Sequence, residues 1–491
     1  MTLPQKKFPF RIAVNSEEPI ELLSAVRDLP GRRLVCRGVW RGRPVYVKQF
    51  FGKKAGRNAG RDASGVRAMI EAGIDTPALL FDGEIADGSG RALVFAEVAE
   101  SANAETSWRL LANDPAARFE LAKALVKTVA AHHRARLVQR DMYLKNFLVA
   151  ESGIFTLDGD GIRRHATPVS RRAGLDNLAL LLSKFDAEDD EWLPQLLHCY
   201  ASVLGTELQP AKASAFPAQV MAHRRRVARG YACYKVFRNC TDVVIERSWN
   251  EFKAITRVQD SRELRGLLDN PDTWLCETDS QILKNGNTCT VFAVPLDARK
   301  VVVKRYNIKN FRHGMSRAWR PSRAAVSWSN AHRMKMLGIP TAEPLALLEW
   351  RWGPLRGQAY FVAEFVDTTD ALAFFADPEI TLQRKQHAAL NIARLLHKLW
   401  RLGLVHGDMK ASNVLIGAEE QPLLLDLDAM REARCKWMLH LGHERDLRRW
   451  MENWRNDPVT YKMMRQTLQQ AYLNDEWLLK MAIGMEKSEN T

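Results

Sequence analysis

Two segments of this chain each contain the residue types that move a phosphoryl group from ATP. Each has a lysine after a valine-rich run, an aspartate followed five residues later by an asparagine, and a second aspartate at the end of an apolar run. Phosphoryl transfer requires fixed cations, a proton acceptor and metal-binding oxygens, because the protein mainly positions reactants and neutralises charge. The residues are Lys48, Asp141, Asn146 and Asp158 in the first set and Lys304, Asp408, Asn413 and Asp426 in the second.

The order and spacing within a set predict a role for each member. The lysine is a cation for the α- and β-phosphates, and the first aspartate accepts the proton of the acceptor hydroxyl. The asparagine and the last aspartate supply oxygen ligands to Mg²⁺. Lys410 is placed to contact the γ-phosphate, and Glu97 and Glu364, which end apolar strands, are predicted to lie at the nucleotide. The expected cofactors are therefore ATP and Mg²⁺.

Each of these features has an ordinary structural explanation when it stands alone. A lysine on an edge strand commonly extends its charge into solvent, and an aspartate–asparagine pair can form an Asx turn with a helix cap. Finding all four residues in the same order twice favours a kinase-type fold.

The two sets are separated by a nearly constant distance. It is 256 residues between the lysines, 267 between Glu97 and Glu364, and 268 between the last aspartates. Solenoid repeats have periods of roughly 20 to 50 residues, so this spacing indicates a duplicated domain. We expect an α+β chain of two tandem protein-kinase-like domains, residues 1–230 and 231–491, each with a small β-rich N-lobe and a helical C-lobe.

The local patterns predict the elements that position these residues. A hairpin is expected to end on the Lys48 strand, followed by a glycine-rich loop over 52–60 and a helix from about 61 to 72. In the second domain Asn285 and Gly286 are expected at a hairpin turn. The stretch 231–274 is either a linker or an extension of the second N-lobe.

Composition limits the setting and the partners. With 72 Lys and Arg against 57 Asp and Glu, the net charge of +15 favours an anionic partner. There is no apolar run long enough for a transmembrane helix, and we expect no secretory signal. The seven cysteines form no C-x-x-C pair, which argues against a disulfide framework and a structural zinc site. The reduced cytoplasm is the expected location.

The segment from Arg140 to Leu148 resembles the H-R-D-x-Y-x-x-H-F-L loop of the lipopolysaccharide core kinases, the heptose and Kdo kinases of Gram-negative bacteria. The second domain is similar to tandem-domain members of that family in Lys304-Arg-Tyr-Asn and Gly338-Ile-Pro-Thr. The resemblance implies phosphorylation of an inner-core sugar, dependent on ATP and Mg²⁺, at the cytoplasmic face of the inner membrane. It implies an anionic glycolipid acceptor, peripheral association with the acidic membrane surface and no nucleic acid partner.

Several residues depart from the family pattern. The helix glutamate that would pair with the strand lysine is missing, with Asp62 and Ser327 at its two positions, and Gln139 replaces the histidine of the loop. The second domain, which keeps His406 and Lys410, is therefore the more complete catalyst. The first is either a second active site or a degenerate scaffold. A protein or small-molecule kinase of the same fold and a double pseudokinase scaffold for envelope biosynthesis remain the alternative functions.

Overall fold

The structure, a computed structural model, describes eight stretches of the chain. These are residues 8–14, 18–29, 31–207, 209–276, 280–297, 299–307, 320–473 and 475–484. The chain divides between residues 223 and 224 into two compact units, which we call unit 1 and unit 2. Both combine helices with antiparallel sheet, so the predicted α+β class is confirmed. The kinase-like domains at 1–230 and 231–491 stay a prediction.

Unit 1 is built around a six-stranded antiparallel sheet in the order β1-β2-β3-β4-β6-β5. Its strands are β1 (Phe10–Ile12), β2 (Ile20–Leu29), β3 (Arg33–Trp40), β4 (Arg43–Phe51), β5 (Leu79–Glu84) and β6 (Gly90–Ala96). Shorter pairings use β7 (Ala102–Asn103), β8 (Leu137–Gln139), β9 (Phe147–Ala150), β10 (Gly153–Thr156) and β11 (Ile162–Arg164). Val45 and Val47 of β4 are buried in the core on one face, so the alternation along a strand directs Lys48 to the other face.

The helices of unit 1 cover that other face and form the rest of the unit. They are α1 (Ala55–Glu71), α2 (Ala104–Leu110), α3 (Pro115–Arg134), α4 (Arg171–Leu182), α5 (Leu193–Leu204) and α6 (Pro210–Cys233), and the boundary between the units falls inside α6. The predicted loop over 52–60 is wrong, because α1 begins at Ala55. Ala55, Ala59 and Ala63 are four residues apart and buried, and this small-residue stripe packs α1 against the sheet despite its glycines.

Unit 2 contains a seven-stranded antiparallel sheet in the order β12-β13-β17-β18-β16-β15-β14. Its strands are β12 (Val243–Arg247), β13 (Glu251–Thr256), β14 (Gln281–Gly286), β15 (Cys289–Leu296), β16 (Arg299–Tyr306), β17 (Pro344–Trp352) and β18 (Leu355–Glu364). Shorter strands are β19 (Leu404–Val405), β20 (Val414–Ile416), β21 (Pro422–Leu424) and β22 (Arg431–Glu432). Because β13 pairs with β17, the stretch 231–274 extends the sheet of unit 2 rather than linking two domains.

The hairpin before the second lysine differs from its prediction. Asn285 pairs with Thr290 and Gly286 pairs with Cys289, so both predicted turn residues lie in β14. The turn is formed by the two residues that follow Gly286. An Asn-Gly dipeptide favours a tight turn, but here the apolar pattern of β15 fixes the pairing two residues later.

Unit 2 has two helices before β14 that unit 1 lacks, and from the helix after the lysine strand onward its first helices follow the order of unit 1. They are α7 (Arg262–Asp269), α8 (Pro271–Leu275), α9 (Arg323–Met336), α10 (Ala371–Ala376), α11 (Leu382–Arg401), α12 (Lys436–Glu452), α13 (Pro458–Ala471) and α14 (Glu476–Gly484). Tyr306 packs with Trp328 of α9, so α9 covers the face of β16 that carries Lys304. Over the described ranges, no helix has the length and apolar character needed to cross a membrane.

Candidate active site

In unit 2 the strand lysine is bound by two aspartates from the turn after β21. Lys304 Nζ donates a hydrogen bond to Asp426 and lies 3.2 Å from Asp428 Oδ2. Burial lowers the pKa of Lys304, but the attraction of the two carboxylates outweighs it and holds the pKa above its ordinary value. Burial acts to raise the pKa of Asp426, but its ion pair with Lys304 holds that pKa below its ordinary value. Both groups are therefore charged at neutral pH.

The last aspartate of each set has the same unusual backbone. Asp426 has φ +55° and Asp158 has φ +64°, in the left-handed region. Few residues other than glycine adopt this conformation, and aspartate is one that does. In both units it turns the chain sharply at the end of the apolar strand and places a carboxylate beside the strand lysine.

The aspartate–asparagine loop is closed by the same hydrogen bond in both units. Asn413 Nδ2 donates to the carbonyl oxygen of Asp408 at 2.8 Å, and Asn146 Nδ2 donates to that of Asp141 at 2.8 Å. The amide nitrogen is thus used to hold the loop. The amide oxygen, the atom suited to a hard cation, is directed away from this bond.

The carboxylate of Asp408 is held by two cations. Lys410 Nζ lies 3.1 Å from Asp408 Oδ2, and Arg449 of α12 lies 2.6 Å from Asp408 Oδ1. Arg449 was not found by the sequence reasoning, because it is 41 residues after Asp408 and carries no motif of its own.

The start of the loop is anchored to the strand that ends in the last aspartate. His406 Nε2 donates to the carbonyl oxygen of Leu425 at 3.0 Å. Gln139, which replaces the family histidine, donates from Nε2 to the corresponding carbonyl of Leu157 at 3.3 Å. The glutamine therefore makes the same bond, and this departure alone does not weaken the loop of unit 1.

A second anchor of the unit 2 loop is Asp446, which the sequence reasoning missed. Its carboxylate accepts hydrogen bonds from the backbone N–H of His406 at 2.7 Å and of Gly407 at 2.9 Å. Burial raises the pKa of Asp446, while the neighbouring His406 and the backbone donors oppose that rise. Asp446 lies four residues after Gly442 and four before Trp450, all buried on one face of α12. An acid on the buried face of a helix is the signal that could have found it.

Four of the predicted residues of unit 2 line one cleft of about 530 Å³: Lys304, Glu364, Asn413 and Asp426. Apolar side chains of β15, β16 and β18 complete its walls, among them Val291, Val302 and Phe361. Lys410 is not part of this lining and faces a separate groove along α12. Asp408, bonded to both Asn413 and Lys410, connects the two.

In unit 1 the strand lysine has a different partner. Lys48 Nζ donates to Asp62 Oδ2 of α1 at 2.8 Å and lies 3.5 Å from Asp158 Oδ1. Asp62 is fully buried, and burial raises its pKa while Lys48 opposes that rise. No helix glutamate pairs with Lys48 in unit 1, and the shorter Asp62 at its position makes the ion pair instead. In unit 2 the residue at that position is Ser327, which instead bonds Tyr306 at 2.8 Å.

The surroundings of the other predicted residues in unit 1 differ from those in unit 2. Glu97 is paired with Arg37 at 3.0 Å. Arg33 lies 4.0 Å from Asp158 and so places a second cation beside that carboxylate. Burial lowers the pKa of Lys184 to about 8. The exposed carboxylate of Asp141 acts in the opposite direction and keeps this pKa from falling further.

Part of unit 2 is similar to a known protein family. Residues 283–472, which contain the whole second set, match the model of the lipopolysaccharide kinase (Kdo/WaaP) family. The predicted resemblance is therefore confirmed over these residues of unit 2. A solved structure described as WaaP in complex with acyl carrier protein is 21% identical over 42% of this chain and 86% of that chain, with a TM-score of 0.32. None of the curated proteins compared with the chain matches it.

Proposed function

We propose that unit 2 is an ATP- and Mg²⁺-dependent kinase that phosphorylates a sugar of the lipopolysaccharide inner core at the cytoplasmic side of the inner membrane. The observation that carries the proposal is the meeting of Lys304, Asn413 and Asp426 at one cleft inside the segment that matches the family. The net charge of +15 supports an acidic membrane surface as the place of work, since each Lys or Arg near such a surface contributes roughly 1 kcal/mol.

The cleft of unit 2 suits a nucleotide with its metal. Its volume of about 530 Å³ and its apolar walls with a few polar groups are typical of small-molecule sites. Lys304 supplies a fixed cation to the phosphates. The Asn413 amide oxygen and the ionised Asp426 are hard oxygen donors that fit Mg²⁺, which usually takes one or two protein ligands together with phosphate oxygens. When bound, Mg²⁺ neutralises charge on the β- and γ-phosphates.

The proposed transfer step uses one proton acceptor and two cations that support it. The acceptor hydroxyl oxygen forms a bond to the γ-phosphorus, the bond to the β–γ bridging oxygen breaks, and ADP leaves. The hydroxyl proton passes to the carboxylate of Asp408. Lys410 and Arg449, at 3.1 and 2.6 Å, fix the direction of this carboxylate.

We assign unit 1 a supporting role in which it transfers no phosphate. Lys48 is held by the buried Asp62, Arg33 is close to Asp158, and Tyr143 stands where unit 2 has Lys410. Asp141 thus has no lysine two residues after it to direct its carboxylate as Lys410 directs that of Asp408. These differences favour the degenerate scaffold over a second active site.

Mass spectrometry of lipopolysaccharide core from cells with and without the protein tests the acceptor. The core from cells lacking it should carry fewer phosphate groups, and re-expression should restore them. An unchanged phosphate content would overturn the proposal. Transfer by the purified protein to a polypeptide but not to core would favour a protein kinase, and failure to bind ATP with Mg²⁺ would favour the pseudokinase scaffold.

A further inference from the structure

A groove of about 640 Å³ lies along α12 beside Asp408, outside the proposed nucleotide cleft. Its lining is formed by one residue of the aspartate loop and by one face of α12. The lining residues are Lys410, Leu441, Glu444, Arg445, Arg448, Arg449, Glu452 and Asn453.

The lining carries an excess of positive charge. It has four cationic and two acidic side chains. Arg445 is exposed and makes no hydrogen bond or ion pair with any residue that the structure describes. Arg448 pairs with Glu444 at 2.6 Å, but an exposed i,i+4 pair of this kind contributes only about 0.3–0.5 kcal/mol. Both guanidinium groups are therefore available to an anion.

The fold fixes this basic face next to the proposed catalytic carboxylate. Asp446 binds the backbone of His406 and Gly407, and so ties α12 to the aspartate loop. Gly442 allows a close approach, because a Cβ there would lie 2.5 Å from Val405. Asp446 and Gly442 face the loop, and Arg449 on the neighbouring side of α12 reaches Asp408. Arg445 and Arg448 also line the groove.

We propose that this groove binds an anionic group, phosphate or carboxylate, of the sugar acceptor, with Arg445 and Arg448 as its binding residues. The inference rests on the proposed function and adds the site that orients the acceptor hydroxyl toward Asp408. A planar guanidinium matches both kinds of oxyanion with two parallel hydrogen bonds, which gives orientation as well as affinity. A lipid surface is a different partner, and the experiment separates it.

The test compares the R445Q and R445Q/R448Q variants with R394Q in the full-length protein. Arg394 of α11 is likewise exposed, makes no hydrogen bond or ion pair among the described residues and lies outside the groove. With delipidated core oligosaccharide as acceptor, the KM for the acceptor should rise about tenfold in the double variant and less in R445Q. The KM for ATP should stay within about twofold of wild type in all three, because the groove lies outside the nucleotide cleft. R394Q should match wild type throughout.

Direct binding of the same oligosaccharide, measured by calorimetry without ATP, keeps the two proposals distinguishable. If wild type transfers phosphate but the double variant keeps the wild-type KM and affinity, the groove proposal is overturned and the kinase proposal stands. If the wild-type protein transfers no phosphate, the kinase proposal fails. If, in addition, the wild-type protein and the double variant bind the oligosaccharide equally or not at all, the groove proposal fails as well. Weaker binding by the double variant only to lipid vesicles, and not to the oligosaccharide, would identify a membrane contact instead.

The oligosaccharide is used before and after phosphatase treatment to identify the anion. Loss of the arginine effect after treatment identifies a phosphate, and its persistence identifies a carboxylate. Rising salt should weaken binding more steeply for wild type than for the double variant, because the charges of the groove are exposed.

Discussion

The two units hold their strand lysines with carboxylates from different places. Lys48 donates a hydrogen bond to Asp62 of α1 and lies 3.5 Å from Asp158, whereas Lys304 is paired with Asp426 and Asp428 of the turn after β21. A largely buried ammonium requires an anion, because removing it from water unpaired is strongly unfavourable. The equivalent position of the lysine in the two units therefore does not decide which carboxylate pairs with it. In unit 1 the hydrogen-bonded carboxylate belongs to the helix that covers the sheet, and in unit 2 both carboxylates belong to the turn after β21.

The junction between the covering helix and the aspartate turn is also built in two ways. In unit 1 Gly65 and Gly159 are so close that a Cβ on Gly65 would lie 1.9 Å from the carbonyl oxygen of Gly159. In unit 2 Asn330 Nδ2 donates to the carbonyl oxygens of Leu427 and Met430, each at 2.9 Å. The helix and the turn thus meet through direct backbone contact in unit 1, whereas in unit 2 the Asn330 side chain donates hydrogen bonds to the carbonyl oxygens of the turn.

The largest expected effect tests whether unit 2 alone catalyses phosphate transfer. Asp408→Ala should reduce ATP-dependent phosphate transfer by about 100-fold or more, since it removes the proton acceptor. Asp141→Ala, the matched change in unit 1, should reduce it far less. The measurement is transfer to one core acceptor by the purified variants. Equal losses in both would mean that unit 1 also catalyses.

The lysine pairs should differ in what they support. Lys48→Met should destabilise unit 1 by about 3–5 kcal/mol, because it leaves Asp62 buried and unpaired. Hydrogen exchange in β4 and α1 and urea unfolding would measure the loss. The K48M/D62L double variant should recover most of it. Lys304→Met should mainly weaken nucleotide binding, since Arg323 still pairs with Asp428 at 2.9 Å. A stability loss in K304M as large as that in K48M would contradict this difference.

The helix–turn junction should show a smaller effect of similar size in both units. Asn330→Ala should destabilise unit 2 by about 1–3 kcal/mol, because two carbonyls lose their donor. Gly65→Ala should destabilise unit 1 by about 1–3 kcal/mol through overlap with Gly159. Urea unfolding with hydrogen exchange would assign each loss to its unit. A neutral G65A would show that the contact can open without penalty.

The smallest effect concerns the surroundings of Asp141. With a pKa of about 8, Lys184 should react with an acylating reagent at pH 8 more readily than ordinary lysines. Its folded pKa is below the unfolded value, so its contribution to stability is present above the unfolded pKa and decreases as pH falls through 8. Asp141→Asn should lower the pKa further, because the carboxylate raises it. A pH-labelling profile followed by mass spectrometry would show the shift, and an unchanged midpoint would exclude the interaction.

The sequence predicted local features well and long-range partners poorly. The helix expected from about 61 to 72 ends at Glu71 in α1, within a residue of its predicted end, and the hairpin expected before Lys48 is observed as β3 and β4. These bounds follow from periodicity and from caps, which act over a few residues. The start of α1 was missed because the buried alanine stripe outweighs the glycines. The engagement of Glu97 by Arg37 was missed because it joins residues 60 apart.

The two sets of lysine, aspartate, asparagine and aspartate, their order and their resemblance to a kinase family can be read from the amino-acid sequence alone. Those features are carried by residue type and spacing along the chain. The packing of the folded chain was needed to show which carboxylate reaches each lysine, that Asp446 ties α12 to the Asp408 loop, and that a basic groove lies beside this loop. Lys304 and Asp426 are 122 residues apart, and whether such groups meet depends on how a helix packs on a sheet to within about an ångström, which no local pattern specifies.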